Sequence, residues 1–436
     1  MEGDKIILSQ KQLQRIGVIN LVRAGLMTLK EAANVIGLSY RQTKRIKAKF
    51  HEKGAKGLIH GNVGRSPKNH ISPQVKQKVL DLSCHRYASF NDRHFWEQLI
   101  ENEGLRLGRE TVRKIRREAG LAPKRKRRPP RHRKRRERMA QSGAMVLWDG
   151  SPHPWLGSNQ PPCCLMAALD DATGRILAAR FFPFEGTEGY LWLLRHMVEH
   201  YGIPLSIYQD RHGSLQRHDE HWTLEEQLQG HQEPTQVGAA LEALDIRPIF
   251  ALSPQAKGRI EKLFATLQDR LGAELDGAGI QTLWEANSFL TGFLRHFNRR
   301  FAIPPQRTQP AWRPVPTNLD VNRIISFRYS ATVGLDNTVR LGGLTLDIPP
   351  GPNRHSYAKA KVEARQLLNG SWRIYYQNHL IATHSATKLS EPIRALRRKK
   401  PHLKGTKNYT WIYETSAQSR LLQKRGHFPL GTKGTY

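Results

Sequence analysis

Cysteine is nearly absent from this sequence, and acidic residues are scarce. Three cysteines occur in 436 residues, and two of them, Cys163 and Cys164, are adjacent. The sequence therefore contains neither a disulfide framework nor a spaced set of thiolate metal ligands, as expected in a reducing compartment. With 37 acidic residues against 70 Lys and Arg, the formal net charge is +33, which indicates a polyanionic partner.

Long hydrophobic runs are also missing. The longest apolar run, residues 163–169, is far shorter than the roughly 20 residues of a membrane-spanning helix, so we expect no membrane association. The first residues lack the basic and apolar segments of a secretion signal, so we expect a cytoplasmic, nucleoid-associated protein. Hydrophobic residues make up 38% of the chain, which is enough to fill folded cores and excludes wholesale disorder.

The positive charge is unevenly distributed along the chain. Residues 1–140 have 35 basic and 12 acidic residues, a net charge of +23, and residues 306–436 have 22 and 6, a net charge of +16. Residues 141–305 have 13 basic and 19 acidic residues, a net charge of −6. This partition predicts two nucleic-acid-binding arms around a centre with a different role.

The first 60 residues are predicted to form a helix-turn-helix domain. A helix with apolar spacing is followed by a capping box, Thr28 to Glu31, which begins a short helix that Gly37 ends. Ser39 caps a third helix, rich in basic side chains, which is typical of a DNA recognition helix. The predicted DNA contacts on it are Arg41, Gln42, Lys44 and Arg45. The alternative is an ordinary three-helix bundle with a solvated basic face.

A second helical DNA-binding domain is predicted for residues 61–122, and a basic linker for residues 123–140. The second domain ends in another basic helix, on which Arg113 and Arg116 are predicted DNA contacts. The linker has eleven Lys or Arg among residues 124–138, and basic side chains on phosphates release counterions. Its predicted DNA contacts are Lys124, Arg125, Lys126, Arg127 and Arg128. The alternatives are a solvated spacer and a nuclear localisation signal, which has the same composition.

The centre, residues 141–305, changes to an α/β pattern. Three apolar strands predict an antiparallel meander, followed by helices that alternate with two further strands, in the order βββαβαβα. This order predicts a mixed sheet covered by helices. Asp149 and Asp210 each end a predicted strand, and ligand sites collect at strand ends in such sheets. Glu261 lies beside the apolar stripe of the last helix of this pattern.

Three converging carboxylates would repel one another without cations. Oxygen ligands suit Mg²⁺ or Mn²⁺, and two ions about 4 Å apart stabilise the attacking and leaving oxygens of a phosphoryl displacement. We therefore predict that Asp149, Asp210 and Glu261 are catalytic residues and ligands of two divalent ions. Taken singly, each acid has an ordinary alternative, because a strand-end Asp commonly caps a turn and a helical Glu is commonly solvated.

Four segments of the centre resemble a known family. They are Trp148-Asp-Gly-Ser-Pro-His-Pro-Trp155, Ala168-Leu-Asp-Asp-Ala-Thr-Gly174, Tyr208-Gln-Asp-Arg-His212 and Ser253-Pro-Gln-Ala-Lys-Gly-Arg-Ile-Glu261. Over residues 10–305 the sequence is similar to bacterial insertion-sequence transposases of the ISNCY group, which resemble retroviral integrases and have a ribonuclease H-like fold.

The resemblance implies roles for individual residues. Asp149, Asp210 and Glu261 would form a DDE triad in which Asp149 bridges both metals, and Lys257 and Arg259 would contact the DNA backbone. Asp170 and Asp171 are rival acids, but their Asp-Ala-Thr-Gly context suits a hairpin turn.

The triad spacings are 61 and 51 residues, and the second is longer than in integrases. The excess is a polar stretch, residues 213–234, which we interpret as a functional or merely tolerated insertion. A minor alternative is a metal site formed by His218, His221 and His231 of this stretch together with His212, which directly precedes it.

Residues 318–388 contain short alternating strands that predict a small β-barrel. The resemblance implies that it contacts DNA or another subunit, and the alternative is a structural appendage. The basic tail, residues 389–436, is expected to order only on DNA.

Together these features predict a multidomain α/β protein with N-terminal helix-turn-helix domains, a ribonuclease H-like core and a C-terminal barrel. The predicted function is a transposase that binds terminal repeats and target DNA as a homo-oligomer, cleaves strands and transfers them. The alternatives are a catalytically silent DNA-binding regulator and a simple ribonuclease H-type nuclease.

Overall fold

The computed structural model describes residues 8–59, 62–63, 70–124, 129, 136–217, 222–251, 257–351 and 354–387. The chain divides into two compact units: residues up to 88 together with 92–124, and residues 89–91 together with those from 125 onward. Among the described residues, no helix has both the length and the apolar character needed to cross a membrane.

The first unit is helical. Its helices are α1 (Gln10–Arg23), α2 (Leu29–Ile36), α3 (Tyr40–Lys53), a 3₁₀ turn (Gly54–Leu58), α4 (Pro73–Cys84), α5 (Asp92–Glu101) and α6 (Arg109–Glu118). The predicted capping box of α2 is present, with Thr28 and Glu31 bonded reciprocally, and Gly37 ends this helix in the left-handed conformation. Ser39 caps α3 as predicted. The helix-turn-helix elements expected from the sequence are therefore present.

The second unit begins with a mixed α/β core. Its elements are β1 (Val146–His153), β2 (Cys163–Asp170), β3 (Ile176–Phe182), α7 (Thr187–His200), β4 (Ser206–Gln209), α8 (Leu224–Gln229), α9 (Gln236–Ala243), β5 (Arg247–Phe250), α10 (Gly258–Gly277) and α11 (Leu283–Phe301). The strand order is β3-β2-β1-β4-β5, with the first three strands antiparallel and β4 and β5 parallel to β1. This agrees with the predicted order, except that the polar insertion contains α8, which was not predicted.

Apolar side chains cover both faces of this sheet. Trp148 points to one face, where Tyr190 of α7 and Leu241 of α9 pack, and Leu147 points to the other, where Ile260 of α10 and Phe293 of α11 pack. The alternation of adjacent residues between the two cores follows from the strand repeat of two. The helices therefore hold β1, with Asp149, rigidly in the middle of the sheet.

The C-terminal strands form two sheets. The elements are α12 (Val321–Ile324), β6 (Ser326–Thr332), β7 (Thr338–Leu341), β8 (Leu344–Asp347), β9 (Lys361–Leu367), β10 (Trp372–Tyr376) and β11 (His379–His384). Over the described residues, a four-stranded sheet β11-β10-β9-β6 and a β7-β8 hairpin share one apolar core but are not joined into one sheet. The predicted closed barrel is therefore not confirmed. The predicted tail, residues 389–436, lies outside the described residues.

Candidate active site

Two of the three predicted catalytic carboxylates converge on one lysine. Lys257 Nζ lies 2.9 Å from Asp149 Oδ1 and 3.1 Å from Asp210 Oδ2. Asp210 directly follows β4, and Asp149 lies two residues beyond Leu147, the last residue of β1 that pairs with β4. The aspartates are distant in sequence but meet because parallel strands bring their carboxyl ends to one edge of a sheet.

The strand that holds Asp149 is longer than predicted. The sequence places the end of β1 at Asp149, whereas the strand continues to His153, because its antiparallel pairing with β2 continues to Cys163. Asp149 is thus fixed within a hydrogen-bonded ladder and does not begin a loop. Its carboxylate position is set by the sheet.

Burial dominates the electrostatics of the Asp149–Lys257 pair. It raises the pKa of Asp149 from its ordinary value of 3.8 to about 6, although Lys257 lowers it, and Glu185 and Asp210 raise it further. Burial lowers the pKa of Lys257, but the carboxylates of Asp149 and Asp210 outweigh this and leave the pKa raised. Negative charge at this edge is therefore costly unless a cation accompanies it.

Glu185 is a further carboxylate near Asp149 that is absent from the predicted site. It accepts a 2.5 Å hydrogen bond from the Tyr190 hydroxyl, and its oxygen would lie 2.5 Å from any Cβ placed at Gly150. Glycine at position 150 therefore makes room for Glu185 beside the strand. The only sequence signal is an acid just before Gly186, the N-cap of α7, and an acid in a loop is usually solvated.

Glu261 is exposed in the first turn of α10, next to the buried Ile260. Among the described residues, no three His, Cys, Asp or Glu side chains are grouped so that they could hold a metal ion. The structure does not bring Glu261 together with Asp149 and Asp210, and its role stays a prediction. Residues 252–256, which precede α10, lie outside the described residues.

The rival acids Asp170 and Asp171 are completely buried and bonded within the fold. Asp170 accepts 3.0 Å bonds from the backbone N–H groups of Gly143 and Thr173. Asp171 accepts a 2.8 Å bond from Met139 N–H and pairs with the guanidinium groups of Arg136 and Arg259. These contacts account for both acids as structural. Arg259, predicted as a DNA contact, is engaged with Asp171 instead.

Lys257 also differs from its prediction as a DNA contact, because it is 8% exposed and bound to the two aspartates. Among the histidines of the minor metal alternative, His231 is exposed and His212 accepts a hydrogen bond from Ser214 N–H, whereas His218 and His221 lie outside the described residues.

The exposed surface of α3 contains the whole predicted set Arg41, Gln42, Lys44 and Arg45, although Gln42 also takes part in the N-terminal capping box. Arg113 of α6 and Lys124 are exposed as well. The predicted contacts Arg125, Lys126, Arg127 and Arg128 lie outside the described residues.

Arg116 is a correction to this set. Its side chain is 7% exposed, its Nη1 lies 2.7 Å from Asp92 Oδ1, and its guanidinium stacks over the Phe95 ring at 5.2 Å. It therefore joins α6 to α5 inside the first unit and does not face a partner. The periodicity of a basic helix does not distinguish an inward arginine from an outward one when a half-buried acid of a neighbouring helix pairs with it.

Comparison with solved structures gives weak similarities. A chain of the simian T-cell lymphotropic virus intasome in complex with PP2A regulatory subunit B56 gamma matches with a TM-score of 0.29 and 16% identity, covering 70% of this chain and 98% of that one. The HTLV-2 integrase catalytic core domain in complex with magnesium matches with a TM-score of 0.26 and 13% identity, covering 38% of this chain and 94% of that one.

Sequence relatives are more similar. A winged helix-turn-helix family model matches residues 15–77. The transposase for insertion sequence IS1202 of Streptococcus pneumoniae is 29% identical over 419 aligned residues, covering 84% of this chain and 85% of that protein. The putative transposase y4bF of Sinorhizobium fredii is 37% identical over 319 residues, covering 73% of this chain and 68% of that protein. The chain therefore belongs to the family of bacterial insertion-sequence transposases.

Proposed function

We propose that this transposase binds the ends of its element and catalyses DNA strand cleavage and strand transfer, with Asp149, Asp210 and Glu261 as a DDE triad. The observation that carries the proposal is the convergence of Asp149 and Asp210 on one cation, at the carboxyl edge of parallel strands. The helix-turn-helix match and the transposase relatives support DNA as the partner.

The two aspartates fit a divalent cation. Their carboxylates already share one ammonium group, and burial raises the pKa of Asp149, so a cation beside it favours the charged carboxylate. Carboxylate oxygens suit Mg²⁺ or Mn²⁺. We propose that Asp149 and Asp210 hold the metal and that Glu261, from the first turn of α10, adds a ligand; two ions per site is an expectation from the family resemblance. When bound, such metals stabilise the charge on the oxygens of an in-line displacement.

The protein's own residues supply binding and position. The exposed basic side chains of α3 and Arg113 of α6 contact the element end, and the rigid sheet edge holds Asp149 and Asp210 in place. In the first step the oxygen of water bonds to a phosphorus at the element end, the bond from that phosphorus to the 3′-oxygen breaks, and a proton from the water ends on this oxygen as a 3′-hydroxyl. In the second step the 3′-hydroxyl oxygen bonds to a phosphorus of the target DNA, the bond from that phosphorus to the target's own 3′-oxygen breaks, and the proton passes to the oxygen that leaves. Both steps exchange one phosphorus–oxygen bond for another, so no covalent enzyme intermediate is needed. Because two ends must be cut together, we expect an oligomer on DNA.

The test is nicking of labelled terminal-repeat DNA by the purified full chain with Mn²⁺. We expect Asp210→Asn to lose nicking by more than about 100-fold, while it still binds DNA in a gel-shift assay. Asp276→Asn, which removes an exposed carboxylate from α10, is the matched control and should nick like wild type. Equal nicking by wild type and Asp210→Asn would overturn the triad assignment.

A DNA-binding regulator without catalysis is the second candidate. It is favoured by the exposure of Glu261 and by the lack, over the described residues, of a group of three metal-ligating side chains. The same assay decides between the two functions. Sequence-specific binding of terminal repeats without nicking by wild type would support the regulator.

A further inference from the structure

A groove of about 1000 Å³ runs along β3 between α7 and α11. Its described lining residues include no aspartate or glutamate, but they include four arginines and two imidazoles: Arg175, Arg180, Arg295, Arg299, His196 and His200. All four arginines are exposed, and within the described part of the chain none of them pairs with a carboxylate. This is a concentrated positive surface on a core whose residues 141–305 have a net charge of −6.

Flat rings line the same groove. The rings of Trp192 and His196 stack at a centroid distance of 5.1 Å, and those of His196 and His200 at 4.1 Å, which forms a ladder along α7. The Arg180 guanidinium lies 5.2 Å from the Trp192 ring centroid. On the other wall, Trp284 is 78% exposed. Exposed rings beside cationic side chains are typical of nucleic-acid-binding surfaces.

The walls of the groove are fixed by two asparagines of α11. The amide of Asn287 bonds both backbone groups of Phe181, at 2.8 and 3.1 Å, and that of Asn298 bonds both backbone groups of Ile176, each at 2.9 Å. These bonds occupy the free edge of β3, so an added peptide strand has fewer backbone groups to pair with. What the groove offers a partner is therefore positive charge and flat rings.

We propose that this groove binds the phosphate backbone of DNA, as a contact separate from the carboxylate site. The proposal rests on the proposed function, in that the chain acts on DNA. In the sheet, Ala179 of β3 aligns with Ala167 of β2, which aligns with Asp149. Two strand spacings, roughly 10 Å, therefore separate β3 from Asp149.

A second copy of this chain is the competing occupant. A two-fold contact places the same patch on both sides of the interface. The four arginines of one copy would then face those of the other, and the described groove residues include no carboxylate to neutralise them. Like charges across an interface are unfavourable, whereas phosphates complement them. The charge of the groove therefore favours DNA.

The experiment uses the full chain and compares wild type with a double variant that contains both Arg295→Ala and Arg299→Ala. Fluorescence anisotropy measures binding of random-sequence double-stranded DNA over a series of KCl concentrations. We expect the salt slope to fall in magnitude by about 0.9 for each phosphate that the variant no longer neutralises, and affinity to fall about 10-fold at low salt. The matched control is Arg247→Ala with Arg307→Ala, which removes two exposed arginines elsewhere in the same unit and should bind like wild type.

A charge-conserving variant, Arg295→Lys with Arg299→Lys, should retain most of the binding and the salt slope. Equal binding by the groove variant and the control would overturn the proposal, as would an unchanged DNA affinity with a loss of self-association in light scattering. This test measures binding only, so its outcome does not depend on catalysis. Failure of nicking by wild type would overturn the proposed catalysis, and the binding measurement would still decide the groove proposal.

Discussion

The ammonium of Lys257 lies 2.9 Å from the carboxylate of Asp149, and the same ammonium is 3.1 Å from that of Asp210. Lys257 immediately precedes α10 and is one turn before Glu261. The start of α10 is therefore tied by charge to the ends of two strands. A divalent cation that binds both aspartates has to compete with this lysine.

Lys257→Ala should change how the protein responds to metal. Without metal we expect a loss of stability of about 3 kcal/mol, because Asp149, whose side chain is only 15% exposed, loses its ion-pair partner. With Mn²⁺ we expect a larger rise in the thermal midpoint than in wild type, since no ammonium competes for the carboxylates. Differential scanning fluorimetry with and without Mn²⁺ measures both. Lys262→Ala, an exposed lysine of the same helix, is the control, and an identical Mn²⁺ effect in both variants would contradict the prediction.

Asp149 should make the metal-free protein less stable as the pH rises. Burial raises its pKa from 3.8 to about 6, so the folded state holds this proton more tightly than the unfolded state does. Between about pH 4 and pH 6 the stabilisation is therefore lost as the pH rises, by at most about 3 kcal/mol. Relative to wild type, Asp149→Asn should gain thermal stability from pH 4.5 to pH 7 in EDTA. Asp276→Asn corrects for general loss of a carboxylate, and a flat difference would be inconsistent with this reasoning.

Removal of the charge should have different effects at Asp171 and Glu261. The first change should lower stability, and the second should lower nicking activity. Asp171→Asn should destabilise the protein by about 3 kcal/mol or more, because two arginines and a backbone N–H depend on this buried carboxylate. Glu261→Gln should change stability by less than about 0.5 kcal/mol, because the side chain is exposed, and yet abolish nicking. Thermal midpoints and the nicking assay separate these outcomes; loss of stability in Glu261→Gln would assign it a structural role.

The arginines of α6 provide a similar contrast. Arg116→Ala should destabilise the protein by about 2 kcal/mol, because it removes the packing on Phe95 and one of the two arginine partners of the half-buried Asp92, which keeps Arg117. Arg113→Ala should leave stability unchanged and lower the magnitude of the DNA-binding salt slope by about 0.9. Thermal denaturation and DNA titrations at several salt concentrations test both. A normal thermal midpoint for Arg116→Ala would show that the buried pair is not needed.

Local structure followed largely from sequence. The capping residues Thr28 and Ser39 mark the starts of α2 and α3. The apolar periodicity identifies α7 and α10, because a helix that buries one face has apolar residues at a regular helical spacing. The same patterns predict the order of strands and helices in the core. The motifs around Asp149 and Asp210 were sufficient to identify the pair that meets at the sheet edge.

Tertiary structure alone decided which partner each charged side chain has. Lys257 binds Asp149 and Asp210, Arg259 binds Asp171, and Arg116 binds Asp92, although all three cations were predicted to contact DNA. A basic residue in a sequence signals positive charge, but it does not specify whether a carboxylate from another segment of the chain will neutralise it. That depends on which elements pack together, and packing across many residues leaves no periodic pattern in the sequence.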